Sequence, residues 1–139
     1  MIKSDNNKPK IMVCGSIGYG DINIIIQMQQ FLRENGFNII DQLSENNNYS
    51  KVEDFREEFE LSHKIASHDL SIIEKSDIIV VVYTSPSSGI GIEMYKAHEM
   101  NKLVILFAIS NIKSPWLIYL SDVIVSSKEN LLSELKLRI

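Results

Sequence analysis

The sequence predicts an α/β protein: a five-stranded parallel sheet with helices on both faces. Three observations predict it. Apolar runs at 11–14, 37–40, 78–83, 103–109 and 123–125 largely lack polar alternation, as strands buried on both faces require. Each run is followed by a stretch of helical spacing, the pattern of a covered parallel sheet. Small-residue loops then close the first and third runs, at residues 15–20 (Gly-Ser-Ile-Gly-Tyr-Gly) and 84–89 (Thr-Ser-Pro-Ser-Ser-Gly). In a chain of 139 residues, expected to be a single domain over 1–139, these elements fit the flavodoxin-like order 2-1-3-4-5, doubly wound and three-layered. Its topological switch point lies between strands one and three, where both loops end.

The elements follow in order. Residues 1–9 are polar and expected to fray. After the first strand and loop, Ile22, Ile25, Ile26 and the pair Phe31-Leu32 alternate with polar residues as on a helix, which Asp21 can cap and Gly36 ends. The second strand leads to a polar segment, 42–50, long for a strand–helix connection and readable as a binding element or a surface excursion. Helical periodicity with a charged face runs over 52–73, and Ser67 is expected to break it by capping a second helix over 69–75. The third strand, its loop and a helix follow, with Glu93 expected in or beside the first helical turn. After the fourth strand, Ser114-Pro115 opens a short helix with proline at its first position. The fifth strand precedes a closing helix over 128–138.

Composition narrows the function. The net charge is −4 and no Lys/Arg cluster is evident, which disfavours duplex or RNA binding. A small anion remains compatible, because backbone amides at a helix start supply a local positive field. The single cysteine, Cys14, allows no disulfide within the chain and reads as small buried packing in a reducing, cytoplasmic setting. No apolar run approaches the ~20 residues of a membrane helix.

Two carboxylates stand out. Glu93 and Asp69 would approach the same end of the sheet, and such a pair permits acid–base and nucleophilic work at an anomeric carbon. Each also has a plain reading as an acid favoured in a first helical turn, and Asp77 reads as the polar start of a strand. His63 and His68, five apart, miss the helical register of a metal pair, so no metal is expected. His98 reads as a surface or interface residue. Gly15, Gly18 and Gly20 spell G-x-x-G-x-G, which is not the dinucleotide fingerprint, although a single phosphate on loop amides fits.

Three segments together carry a resemblance: Cys14-Gly15-Ser16-Ile17; His68-Asp69 followed by Ser76-Asp77; and Pro86-Ser87-Ser88-Gly89-Ile90-Gly91-Ile92-Glu93. Over about residues 10–136 the chain resembles the nucleoside 2-deoxyribosyltransferase family, within it the 2'-deoxynucleoside 5'-phosphate N-hydrolase branch and related CMP-type N-glycosidases. The resemblance implies cleavage of a nucleotide's N-glycosidic bond without a cofactor. Glu93 would be the nucleophile, and Asp69 would position the sugar and protonate the leaving base. Gly15, Ser16, Ile17, Gly18, Tyr19, Ser87 and Gly89 would surround the 5'-phosphate. It also implies a homodimer in which Ser114 reaches the neighbouring subunit's phosphate.

The chain departs from that pattern twice: Met12 stands where the family usually has Tyr, and Gly18 where the hydrolase branch commonly has Arg. Without that Arg the phosphate would lean on amides and hydroxyls, including the Tyr19 phenol. Three other readings stay open: a base-exchanging transferase, a nucleotide-binding protein without turnover, and a flavin-binding carrier. The last is disfavoured by the first loop, which lacks a Ser/Thr-rich phosphate pattern.

Overall fold

The computed structural model describes residues 8–16, 22–41 and 51–139. Its strands are β1 (Lys10–Gly15), β2 (Asn38–Ile40), β3 (Ile78–Tyr83), β4 (Leu103–Ala108) and β5 (Val123–Val125). Its helices are α1 (Ile22–Glu34), α2 (Phe59–Lys75), α3 (Ser88–Glu99), α4 (Pro115–Leu120) and α5 (Lys128–Arg138). All strand pairings are parallel and the order is β2-β1-β3-β4-β5. This is the expected topology, with β1 and β3 side by side, Met12 opposite Ile79 and Gly15 opposite Val82.

Alternation along each strand sorts side chains between two layers. Ile11, Val13, Ile78, Val80, Ile105 and Phe107 pack towards α1 and α5. Met12, Cys14, Ile79, Val81, Val104 and Leu106 pack towards α2, α3 and α4. Every residue of β3 is buried, as its unbroken apolar run requires. Gly36 ends α1 at a φ of +89°, with its N–H on Arg33 O and that of Phe37 on Leu32 O, a glycine-terminated Schellman turn.

Two local expectations are corrected. The 52–73 segment is not helical throughout, because α2 begins only at Phe59. Upstream, Asp54 accepts from the backbone N–H of Arg56 at 2.9 Å and from its guanidinium at 2.7 Å, a local closure that competes with helix. Nor does Ser67 split the helix. α2 runs unbroken through it to Lys75, carrying Ile65, Ile72 and Ile73 into the core, while Ser67 is exposed. Asp77 sits at the opposite end of the sheet from the two loops and accepts from Lys10 N at 2.8 Å, clamping the starts of β1 and β3.

Candidate active site

The third loop is shorter than its composition suggests, because Ser87 caps α3 by accepting from Ile90 N at 3.4 Å. Helix therefore starts at Ser88, with Gly89 and Gly91 inside it, and Glu93 lies past the first turn. That corrects its expected position and removes the plain reading of Glu93 as a first-turn acid. Asp69 loses the same reading, since it lies well inside α2. Neither carboxylate is where a helix dipole would favour it.

Both are instead partly buried and close enough to repel. Burial, and secondly the Asp69 charge, push the Glu93 carboxyl up to about 8, against a hydrogen bond from the Cys14 thiol that pulls it down. Burial lifts Asp69 to about 6, with His68 opposing. Burial first, then the charges of Glu93 and Asp69, hold the Cys14 thiol well above its ordinary range. Cys14, Asp69 and Glu93 thus form one electrostatic cluster drawn from β1, α2 and α3. Between the two carboxylate values the pair carries one proton, which belongs to the pair rather than to one residue.

Ser16 is buried, and its hydroxyl donates to Ser85 O at 2.7 Å, fastening the loop after β1 to the loop after β3. The Ser85 hydroxyl is itself buried and has no hydrogen-bond partner among the described residues. At Gly15 a Cβ would stand 2.8 Å from the Val82 carbonyl, so the pairing of β1 with β3 demands glycine there. At Gly89 a Cβ would meet only Ser87 Oγ, at an ordinary 3.6 Å. Ile17, Gly18 and Tyr19, and the polar segment 42–50, lie outside the described residues.

Ser114 is placed elsewhere. It precedes α4, makes no capping bond, and lines a groove of about 770 Å³ between α3 and α4 with Tyr83, Ser87, Gly91, Tyr95 and Trp116. Neither Glu93 nor Asp69 lines that groove. Trp116 is 72% exposed, Ile92 61% and Tyr95 55%, so the groove has an apolar rim. His98 is partly buried and its ring stands 5.3 Å from that of Tyr119. Among the described residues no three His, Cys, Asp or Glu side chains could hold a metal ion, and no helix is long and apolar enough to cross a membrane.

Sequence reasoning did not find two features of the site. One is the nearness of Cys14 to Glu93, for which the signal was the strand period that aims Met12 and Cys14 at the same layer. The other is the aromatic groove, whose residues come from two helices with no shared motif.

No protein-family model matches the chain. It is similar to a 5-hydroxymethyl-dUMP N-hydrolase of Danio rerio, 30% identical over 95 residues that make up 68% of this chain and 65% of the relative's length. Among solved structures it is similar to the 2-deoxyribosyltransferase of Bacillus psychrosaccharolyticus, with a TM-score of 0.64, 14% identity, and coverage of 88% of this chain and 89% of that one. A conserved protein of Enterococcus faecalis gives a TM-score of 0.68 at 20% identity, covering 95% and 99%. The CMP N-glycosidase of Clostridium botulinum gives 0.57 at 18%, covering 91% and 98%. The structural likenesses establish a shared fold, and the relatives' names agree with the resemblance carried by the three sequence segments.

Proposed function

We propose that the protein is a nucleotide N-glycosidase that hydrolyses the bond between base and sugar in (deoxy)nucleoside 5'-monophosphates. The observation that carries this reading is the convergence of Glu93 and Asp69 at the switch point, two carboxylates sharing a proton in a partly dry site. In the first step the Glu93 carboxylate attacks C1' as the C1'–N bond breaks, and Asp69 gives its proton to the departing base. In the second, water attacks C1' while the Asp69 carboxylate takes its proton, which frees the sugar 5-phosphate and restores Glu93. No cofactor is needed, because water is the only co-reactant.

Attack requires the shared proton to sit on Asp69 and not on Glu93. Base release should therefore follow a bell-shaped pH profile, with limbs near the pair's values of about 6 and about 8. The 5'-phosphate would lie over the start of α3, where Ser87, Ser88 and the free N–H groups of the first turn favour an anion, with Ser16 beside it.

The N-hydrolase name of the relative supports a phosphorylated substrate, and the resemblance supports a homodimer with Ser114 reaching the neighbouring site. The apolar rim of the groove in which Ser114 lies fits a second copy of the chain, since monomers rarely leave Trp and Tyr so exposed together. A monomer mass in sedimentation equilibrium would remove that arm.

The test is a chromatographic assay for free base over nucleoside monophosphates, the matching nucleosides, and labelled free bases for exchange. Release from monophosphates alone, reduced about a thousandfold or more in Glu93→Ala, is the expected result. Exchange in preference to release would make the protein a transferase. An undiminished rate in Glu93→Ala would sink the assignment of the nucleophile.

A further inference from the structure

We infer that Lys113 supplies the positive charge for the 5'-phosphate, from the groove between α3 and α4 of its own chain. This deepens the glycosidase reading, and it rests on the placement of the phosphate over the start of α3. The groove, of about 770 Å³, is lined by Ser87 and Ser88 at that start and by Lys113 and Ser114 ahead of α4. Among the described residues that line it, Lys113 is the only charged one, and no acid shares the wall. No hydrogen bond or ion pair among the described residues holds its ammonium. An ammonium without a counter-ion, on a wall that is mostly aromatic and aliphatic, is a natural partner for a phosphate.

The fold explains how this cation and the carboxylate pair can serve one molecule. Ser87 follows β3 and Lys113 follows β4, and the two strands are parallel neighbours, so both residues arrive at the same end of the sheet. Ser88, Gly91, Ile92 and Tyr95 recur at helical spacing and give the groove one face of α3. Glu93 is on another face, and neither it nor Asp69 lines the groove. The two faces meet at the N-terminal end of the helix. At about 1.5 Å of rise per residue, Glu93 stands about 7.5 Å along α3 from Ser88, the span of a sugar ring with its 5' carbon. A nucleotide with C1' at Glu93 therefore carries its phosphate to the helix end, where Lys113 approaches from the groove side. Ser87 takes the N–H groups of Ile90 and Gly91, which leaves those of Ser88 and Gly89 for the anion. Charge balance asks for more than amides. The carboxylate pair is negative once its shared proton is counted, and a phosphate monoester adds roughly −1.5 to −2 at pH 7. Neither small-residue loop, 15–20 or 84–89, contains a Lys or Arg to offset it.

The experiment measures binding and turnover separately in the wild-type protein, Lys113→Ala and Lys113→Arg. Calorimetric titrations, with Glu93→Gln added so that nothing is consumed, use the common ribo- and deoxyribonucleoside 5'-monophosphates, their nucleosides and inorganic phosphate. Monophosphates should bind about ten- to thirtyfold more weakly to Lys113→Ala, and within about threefold of the unsubstituted value to Lys113→Arg. Nucleoside affinity should not move. In base release the loss should fall on KM, with kcat kept within about threefold. Added salt should weaken monophosphate binding less in Lys113→Ala than in the wild-type protein. Equal losses for monophosphates and nucleosides would mark a structural residue and overturn the proposal. So would an unmoved monophosphate affinity, or a protein with Lys113 intact that binds no monophosphate. Mixing Lys113→Ala with Glu93→Ala chains tests the placement: a KM restored in the mixture would put the lysine across a subunit boundary and overturn the own-chain site. If binding depends on Lys113 while the wild-type protein releases no base, the glycosidase reading fails and the phosphate site stands. Base release with binding indifferent to Lys113 leaves the glycosidase and removes the lysine.

Discussion

Consecutive residues of the same strands serve two different layers. Towards α1 and α5 the sheet presents Ile11, Val13, Ile78, Val80 and Ile105, which meet Ile25, Leu32, Leu131 and Leu135 in an aliphatic seal. Towards α2, α3 and α4 it presents Met12, Cys14, Ile79 and Val81, and this layer also holds the two carboxylates with raised values. A hydrophobic layer stabilises by area and shape, so its members exchange freely with others of similar volume. The second layer gives up some of that stability to keep acids away from water. The difference teaches that a substitution's effect here depends on the parity of its position along the strand as much as on its burial.

That contrast can be broken in two ways, the larger effect first. Leu135→Ala, in the aliphatic layer at 0% exposure, should cost about 2–5 kcal/mol in denaturant unfolding, because a cavity is left behind. Base release per folded molecule should stay the same. A variant that loses activity in proportion to stability would show the layers to be coupled.

Glu93→Gln should do the reverse, abolishing activity and raising stability in alkali. A carboxyl whose folded value is raised contributes stability below its unfolded value and loses it as pH rises through the folded one. For Asp69 and Glu93 that loss runs from the ordinary carboxylate range up through about 6 and about 8. At pH 8.5 the glutamine variant should therefore melt roughly 3–6 °C higher than the wild-type protein, the size of about 1–2 kcal/mol in a chain of this length, and near pH 5 the two should nearly coincide. Thermal scans across pH decide it. A variant that melts lower at every pH would mean that the Glu93 carboxylate is well satisfied and that burial is not what lifts it.

The topology was legible because buried parallel strands write themselves as unbroken apolar runs, and Ile78 to Tyr83 is one. The meeting of Asp69 and Glu93 was legible too, since the strand order brings both helices to one end of the sheet. What failed was local. Gly89 and Gly91 disguised the start of α3, because helix propensity outweighs a cap in a sequence reading while Ser87 decides it in the fold. Ser67 offered a cap that the apolar stripe of Ile65, Ile72 and Ile73 overrode. The nearness of Cys14 to Glu93 was half legible: the strand period puts the thiol in that layer, but a thiol in a strand looks the same whether its neighbour there is a leucine or a glutamate.

The pairing of β1 with β3 also has a consequence for biosynthesis. The bonds that join these strands and their loops, Lys10 N to Asp77 and Ser16 Oγ to Ser85 O, span 67 and 69 positions of chain. Contacts so distant form late, after the entropy of closing a long loop has been met. A nascent chain that has emerged only through β2 carries Cys14 but neither carboxylate, and one that ends within β3 has Asp69 without Glu93. The two carboxylates therefore stand together only once α3 has docked.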